Sequence, residues 1–96
     1  MRHRYAVYIV ANRYRTVFYT GMTNDLRRRV WEHKNGQGSD FMSRYRVTDL
    51  LYYEEYSQVK EAIYREKQLK RWGRQKKLDL IQTLNPDMVD LAEQLW

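Results

Sequence analysis

VFYTGMTNDLRRRVWEHK, residues 17–34, decides the fold, because a β-branched and aromatic run passes through one glycine straight into an arginine-rich segment. Residues 16–21 have the composition of a strand, and residues 4–10 form an earlier one with apolar side chains on both faces. The polar connection 11–15 is short, so the two strands are predicted to pair as an antiparallel hairpin.

The segment after the glycine carries the signals of a helix start and a helix end. Thr23 or Asn24 can cap it, and Asp25 lies in its first turn, where the helix dipole favours a carboxylate. The helix is predicted to run to about Lys34 and to stop at Asn35-Gly36.

The rest of the chain predicts a loop, one strand and two helices before a short amphipathic end. These elements are the loop 36–46, the strand 49–56, the helix 58–72 with Gly73 at its end, the basic helix 74–84 and the closing segment 87–96. The order β-β-α-β-α-α indicates an α+β domain with a small three-stranded antiparallel sheet flanked by helices. A length of 96 residues suits one core, so residues 1–85 are predicted as one domain and residues 86–96 as a short helical tail packed on it.

Composition excludes several classes of protein and site. The chain has no cysteine, which rules out disulfides, cysteine nucleophiles and thiolate zinc sites. No apolar run is long enough for a membrane helix or a signal peptide, so a cytoplasmic protein is expected. The net charge is +6, and residues 60–77 hold eight Lys and Arg against two Glu. This basic block indicates a polyanion-binding face, with an ordinary solvated helix face as the alternative.

Arg29 is the first candidate for chemistry. Leu26 and Val30 mark the buried stripe of the first predicted helix, and Arg29 lies beside that stripe, one turn before His33. A guanidinium at the border of a core presents a planar set of donors suited to phosphate. The alternative is an ordinary ion pair or a surface arginine.

Glu66 is the second candidate, because helical spacing places it among Ala62, Ile63 and Leu69. A carboxylate in an apolar stripe needs a cation nearby. Magnesium binds hard oxygen ligands and often uses only one or two protein carboxylates. Either a metal ion or an arginine, Arg29 among them, could supply that charge.

Tyr8 and Tyr19 lie near the centres of two strands that are predicted to pair, so their side chains could be close across the sheet. A tyrosine with a lowered pKa can accept or relay a proton, although most strand tyrosines only pack. Gly21 allows a close backbone approach or a positive φ, and glycine is also common in any turn.

Two triplets, Ala6-Val7-Tyr8 and Tyr19-Thr20-Gly21, resemble the signature triplets of the GIY-YIG nuclease superfamily. The run from Tyr19 to His33 is similar to its most diagnostic stretch, and Glu61 to Glu66 resembles the later motif that carries a metal-binding glutamate. The resemblance covers roughly residues 4–82. It is closest to the small stand-alone bacterial branch and implies a GIY-YIG-like fold.

The resemblance also implies roles for five side chains. Tyr8 and Tyr19 are the two motif tyrosines, one of them a candidate to activate the attacking water. Arg29 would stabilise charge on the phosphoryl group, and His33 would assist proton transfer or hold the phosphate. Glu66 would bind one divalent ion, magnesium or manganese, in a metal-assisted hydrolysis.

The sequence departs from the family pattern at three points. The first triplet begins with Ala6-Val7 instead of glycine and isoleucine, and Thr20 replaces isoleucine in the second triplet. The resemblance implies that Gly21, the last residue of the second triplet, shapes the turn. Many members also have an asparagine after the long helix. Asn85 is the nearest equivalent here and lies too late in the chain.

The leading hypothesis is a metal-dependent endonuclease that acts on DNA, either structure-selective or non-specific. Basic residues predicted to bind DNA phosphate are Arg27, Arg28, Arg44, Arg46, Lys70, Arg71, Arg74, Lys76 and Lys77. Phe41 and Tyr45 could stack on bases from the loop 36–46, or this loop could simply pack on the surface.

Two other classes of function stay open. One is a nucleic-acid-binding or partner-recruiting module with little or no catalysis. The other is a dimerisation element that uses the apolar residues of the tail, although a monomer is expected because that stripe can pack on its own domain. The tail residues concerned are Met88, Val89, Leu91, Leu95 and Trp96.

Overall fold

The computed structural model describes residues 4–37 and 40–95, in which three strands form one antiparallel sheet of order β2-β1-β3. Helices flank this sheet, so the predicted α+β fold is confirmed. Across those residues, no helix combines the length and the apolar character needed to cross a membrane. The elements are β1 (Tyr5–Ala11), β2 (Phe18–Thr23), α1 (Leu26–Lys34), α2 (Asp40–Tyr45), β3 (Asp49–Tyr56), α3 (Val59–Arg71), α4 (Arg74–Leu84) and a closing 3₁₀ turn (Ala92–Leu95).

β1 is the central strand, and its alternate side chains enter cores on both faces of the sheet. On one face Tyr8 lies in a cluster with Val30 of α1. On the other face Val7 clusters with buried residues of α3, and Ile9 clusters with Ile81 of α4. A strand buried on both faces has no polar stripe, which explains its uninterrupted apolar sequence.

β2 begins and ends later than the sequence predicts. The side-chain oxygen of Asn12 accepts hydrogen bonds from two backbone N–H groups of the preceding connection, at 2.9 and 3.0 Å, and holds that connection out of the sheet. Strand pairing therefore covers residues 18–23. The prediction that Gly21 shapes a turn is wrong, because Gly21 lies inside β2 and pairs with Tyr8.

Asp25 caps α1, in place of Thr23 or Asn24. Its carboxylate accepts from the backbone N–H of Arg28 at 3.2 Å. The Thr23 hydroxyl instead accepts from the backbone N–H of Asp25 at 3.0 Å, which fixes the short link between β2 and α1. Asn35 ends the helix, as predicted.

The predicted loop 36–46 contains a helix, α2, that was not expected. The Ser43 hydroxyl donates to the carbonyl of Gly36 at 3.0 Å and ties α2 to the end of α1. Neither glycine nor proline occurs within 40–45, so no residue type there opposes a helical turn. The side chain of Phe41 lies outside the described part of the chain.

The closing segment packs on the edge strand β3. The backbone N–H of Leu91 donates to the carbonyl of Leu50 at 2.7 Å, and the Asp90 carboxylate accepts from the Leu50 N–H at 3.0 Å. Leu91 and Ala92 are buried. Part of the stripe considered for dimerisation therefore faces the domain's own core, while Trp96 lies outside the described residues.

Glu54 joins α3 to the sheet. Arg65 of α3 donates to its carboxylate from Nε and from Nη2, each at 2.9 Å, and the hydroxyls of Tyr52 and Tyr56 donate at 2.5 Å each. Burial alone would raise the pKa of the Glu54 carboxyl, but these donors together lower it below its ordinary value. The ion pair therefore stays charged and fixes the position of α3 over β3.

Glu54→Ala is expected to lower the free energy of unfolding by about 2–3 kcal/mol at neutral pH, because Arg65 and two tyrosine hydroxyls lose their acceptor. Glu55→Ala is the control, since Glu55 is half exposed and meets Arg4 only at 4.0 Å. Because the pKa of Glu54 is lowered, its contribution is lost as the pH falls below the ordinary carboxyl value of 4.5. Urea unfolding measures these effects, and equal losses for the two variants would contradict the explanation.

Candidate functional site

Gly21 makes room for the phenol of Tyr8. A Cβ atom at position 21 would lie 2.5 Å from the Tyr8 hydroxyl oxygen and 3.0 Å from Cε1 of Tyr19. Any side chain at this position would displace the two tyrosines. The glycine is therefore required for space and not for an unusual backbone conformation.

His33 of α1 contacts the same Tyr8 hydroxyl. Nε2 of His33 lies 3.3 Å from the hydroxyl oxygen, and the two rings meet edge to face with their centroids 5.6 Å apart. The centroid of the Tyr19 ring lies 6.1 Å from that of the imidazole. Tyr8 and His33 are both almost fully buried. Three residues predicted to take part in catalysis thus converge on one point.

Arg29 and Glu66 approach this group from two different helices. Arg29 of α1 pairs with Glu32 at 3.3 Å, and Glu66 of α3 pairs with Lys70 at 3.6 Å. Within residues 4–37 and 40–95, Arg29 and Glu66 do not form an ion pair with each other. Each has its own counter-ion, and the charges of both Arg29 and Glu66 act on the Tyr8 phenol.

Glu66 lies at the border of the buried face of α3. Ala62 and Leu69 are fully buried, but Ile63 is 37% exposed. The side chain of Glu66 is itself 21% exposed. Glu66 is thus partly buried on the same face as Ala62 and Leu69, as predicted, whereas Ile63 is not a buried member of this stripe, and a hydrated ion can reach the carboxylate from solvent.

Burial sets the protonation states of the central pair. It raises the pKa of the Tyr8 phenol well above its ordinary value; Arg29 opposes this shift, and Tyr19 and Glu66 add to it. Burial, followed by the charge of Arg29, lowers the pKa of His33 to about 4. Near neutral pH the phenol is protonated and the imidazole is neutral, so the imidazole can accept a proton.

A family model for the GIY-YIG catalytic domain matches residues 4–79, which include all of these side chains. The chain belongs to the GIY-YIG family. It is 41% identical over 63 residues to the UPF0213 protein of Staphylococcus saprophyticus, a stretch that spans 66% of this chain and 77% of that protein. The UPF0213 protein of Staphylococcus aureus is 43% identical over 63 residues, with the same two shares.

A solved structure agrees with the fold. The solution NMR structure of the UPF0213 protein of Bacillus halodurans matches 88% of this chain and 88% of its own, with a TM-score of 0.55 and 26% identity. The predicted resemblance to a branch of small GIY-YIG proteins is thereby confirmed.

A divalent ion in this GIY-YIG site would have few protein ligands. Within the two described stretches, no three His, Asp or Glu side chains are grouped so that they could hold a metal. One carboxylate, that of Glu66, would suit a magnesium or manganese ion that keeps several waters and takes further oxygen ligands from a bound phosphate. An ion there would have to share this carboxylate with Lys70 or replace it.

The residues predicted to bind DNA lie on three parts of the surface. Arg27 and Arg28 are exposed on α1, and Arg44 and Arg46 are exposed at α2. The remainder lie where α3 meets α4: Lys70, Arg71, Arg74, Lys76 and Lys77.

Arg74 and Lys76 also hold the domain together. Arg74 donates to the carbonyl of Thr16 at 3.1 Å, and its guanidinium lies 4.6 Å from the centre of the Phe18 ring. The ammonium of Lys76 lies 4.4 Å from the centre of the Trp72 ring. These contacts attach α4 to its neighbours, so a DNA-binding role for the two residues stays a prediction.

Asn85 does not contact the residues around Tyr8. Its buried amide donates to the carbonyls of Leu51 at 3.0 Å and Val89 at 2.7 Å, where it ends α4. Its function is to join α4 and the closing segment to β3.

Sequence patterns did not identify Glu32 as a residue of the site. It lies 3.6 Å from Arg28 and 3.3 Å from Arg29, and it orients the arginine nearest to the tyrosines. The spacing of three and four residues on one helix could have predicted both pairs.

Gly21→Ala is expected to lower the free energy of unfolding by about 1–3 kcal/mol, because the added methyl group overlaps the Tyr8 hydroxyl. Gly73→Ala is the matched control, since a Cβ there meets nothing within 4 Å. It should cost only about 0.5 kcal/mol, the small penalty of alanine at a helix N-cap. Urea unfolding compares the two variants, and equal losses would rule out the steric explanation.

His33 should make the fold sensitive to mild acid. Its pKa is about 4 when folded and 6.5 ordinarily, so the unfolded chain takes up the proton first and stability is lost as the pH falls between these values. His33→Gln cannot titrate and should lose less stability between about pH 7 and pH 5, a range above the ordinary carboxyl pKa. Urea midpoints at both pH values measure this, and parallel profiles for the two proteins would refute it.

Proposed function

We propose that this chain is a divalent-metal-dependent endonuclease that hydrolyses phosphodiester bonds of DNA, with structure-selective or non-specific action. The observation that carries the proposal is the convergence of Tyr8, Tyr19 and His33 beside the guanidinium of Arg29 and the carboxylate of Glu66. Membership of the GIY-YIG family supports it, because the matching domain is described as catalytic.

The pair formed by Tyr8 and His33 supplies a route for the proton of the attacking water. A water that donates to the Tyr8 oxygen transfers its proton there, while the Tyr8 hydroxyl transfers its own to Nε2 of His33, 3.3 Å away. Burial disfavours a pre-formed phenolate, so this relay starts from neutral groups. The hydroxide attacks phosphorus, the bond to the leaving oxygen breaks with its electron pair on that oxygen, and the oxygen takes up a proton from solvent.

Arg29 supplies positive charge where the phosphoryl group becomes more negative. Its planar donors suit the phosphate oxygens, and Glu32 holds the side chain in place at 3.3 Å. A magnesium or manganese ion bound at Glu66 would polarise the scissile phosphate and stabilise the leaving oxygen. Glu66 lies beside solvent at the end of this arrangement, where a phosphate backbone can approach.

Basic side chains around the site would hold the DNA. The chain has a net charge of +6, and Lys70 and Arg71 extend the positive surface along α3 from Glu66. Contacts with the phosphate backbone read no base sequence, and they weaken as salt is added. Binding should therefore be sensitive to salt and largely independent of sequence.

One observation favours a second candidate function, a nucleic-acid-binding or partner-recruiting module with little catalysis. Lys70 already lies 3.6 Å from Glu66, so the carboxylate has a counter-ion without any metal. A module of this kind would bind DNA equally well whether or not Glu66 is present.

Glu66→Gln keeps the shape of the side chain but removes the proposed metal ligand, and it should reduce cleavage about 100-fold or more. Glu61→Gln, in the first turn of the same helix, is the matched control and should cleave like the wild type. The assay uses labelled single-stranded, duplex and branched DNA, with Mg²⁺ or Mn²⁺ and with EDTA.

Two results would change the assignment. If the wild type binds DNA but cleaves none of the substrates, the second function is favoured. Cleavage by Glu66→Gln at the wild-type rate would remove Glu66 from the mechanism.

A further inference from the structure

A cavity of about 530 Å³ lies next to His33, outside the group of side chains around Tyr8. It is formed by three segments that are distant in the sequence: the turn between β1 and β2, the end of α1, and α2 with the residues after it. Its volume is in the range of cavities that bind small molecules and cofactors.

Among the side chains that the structure describes, the cavity is lined by cations and by no carboxylate. Arg13, Lys34 and Arg46 contribute to its wall. Asp90 neutralises Lys34 at 2.5 Å, but neither Arg13 nor Arg46 forms an ion pair with any side chain that the structure describes. Two guanidinium groups that pair with no carboxylate among the described side chains favour an anion with several oxygens, such as a phosphate.

Two tyrosines line the same cavity from opposite segments. Tyr14 of the β1–β2 turn is 76% exposed, and Tyr45 of α2 is 44% exposed. The guanidinium of Arg13 lies 5.8 Å from the centre of the Tyr14 ring. Exposed aromatic faces beside arginines are the groups on which nucleic-acid bases stack.

His33 connects the cavity with the proposed cleavage site. Its Nε2 faces the Tyr8 hydroxyl, and the same residue forms part of the cavity wall. Arg46 directly follows α2 with a φ of +53°, the left-handed conformation in which helices commonly end, and it lines the cavity from there.

We propose that this cavity binds one nucleotide of the DNA strand, next to the phosphate that is cleaved. The base lies against Tyr14 and Tyr45, and its phosphate contacts Arg13 and Arg46. Only the position beside the cleaved phosphate rests on the proposed function, because nucleotide binding itself needs neither metal nor hydrolysis. A paired base must leave its stack to enter, which costs free energy, so a strand with an unpaired nucleotide binds more tightly than a duplex.

The test is binding in EDTA of a short single-stranded DNA that carries one 2-aminopurine, and of the same strand in a duplex. The wild type should quench the 2-aminopurine fluorescence of the single strand and should bind the duplex about tenfold more weakly. Tyr14→Ala and Tyr45→Ala should each weaken single-strand binding about tenfold and lose the quenching, while Tyr45→Phe keeps both. Tyr64→Ala is the control, since Tyr64 is 72% exposed on α3 and outside the cavity.

The proposal is overturned if Tyr14→Ala and Tyr45→Ala bind and quench the single strand like the wild type, or if the duplex binds as tightly. The two tyrosines lie on different segments. If Tyr45→Ala unfolds α2, Tyr14→Ala still tests the proposal. Glu66→Gln should bind both probes like the wild type. Loss of cleavage and loss of the nucleotide site are therefore separate results.

Discussion

The contact between the Tyr8 phenol and the backbone of β2 at Gly21 is the constraint on which the site depends. Without a Cβ at Gly21, the buried hydroxyl of Tyr8 can lie over β2 and reach His33. The link from β2 to α1 is short and is fixed by Thr23 and Asp25. The strand that makes room for the phenol thus also sets where α1 begins, and with it the positions of Arg29 and His33.

A second constraint fixes the position of Glu66, the negatively charged residue of the site. Arg65 and Glu66 are adjacent on α3, so their side chains leave the helix in directions about 100° apart. Arg65 is bound to Glu54 on the buried side, in a network with Tyr52 and Tyr56. Glu66 therefore points to the border of the sheet. The network around Glu54 and the partly buried Glu66 carboxylate are two consequences of one helix position.

Local patterns predicted the sheet, the long helices and the closeness of Tyr8 and Tyr19, because strand and helix periodicity depends on nearby residues. The addition of His33 to this group came from the resemblance to the GIY-YIG family. The predictions were wrong where a side-chain hydrogen bond or the packing of separate segments determines the structure. Hydrogen bonds that the Asn12 side chain accepts from the connection move β2 along the chain and place Gly21 inside it. The exposure of Ile63 and the cavity beside His33 depend on how separate segments pack. Helical spacing alone gives neither result, since it does not say which neighbours cover a face.

The central claim is that Glu66 holds a divalent ion beside the pair of Tyr8 and His33. The most direct measurement is an NMR titration of the wild type and of Glu66→Gln with Mn²⁺, in which a paramagnetic ion broadens the signals of nearby nuclei. We predict that the ring signals of Tyr8 and His33 broaden in the wild type at concentrations that leave those of Glu66→Gln sharp. Equal broadening in the two proteins, or broadening at other residues only, would contradict the account.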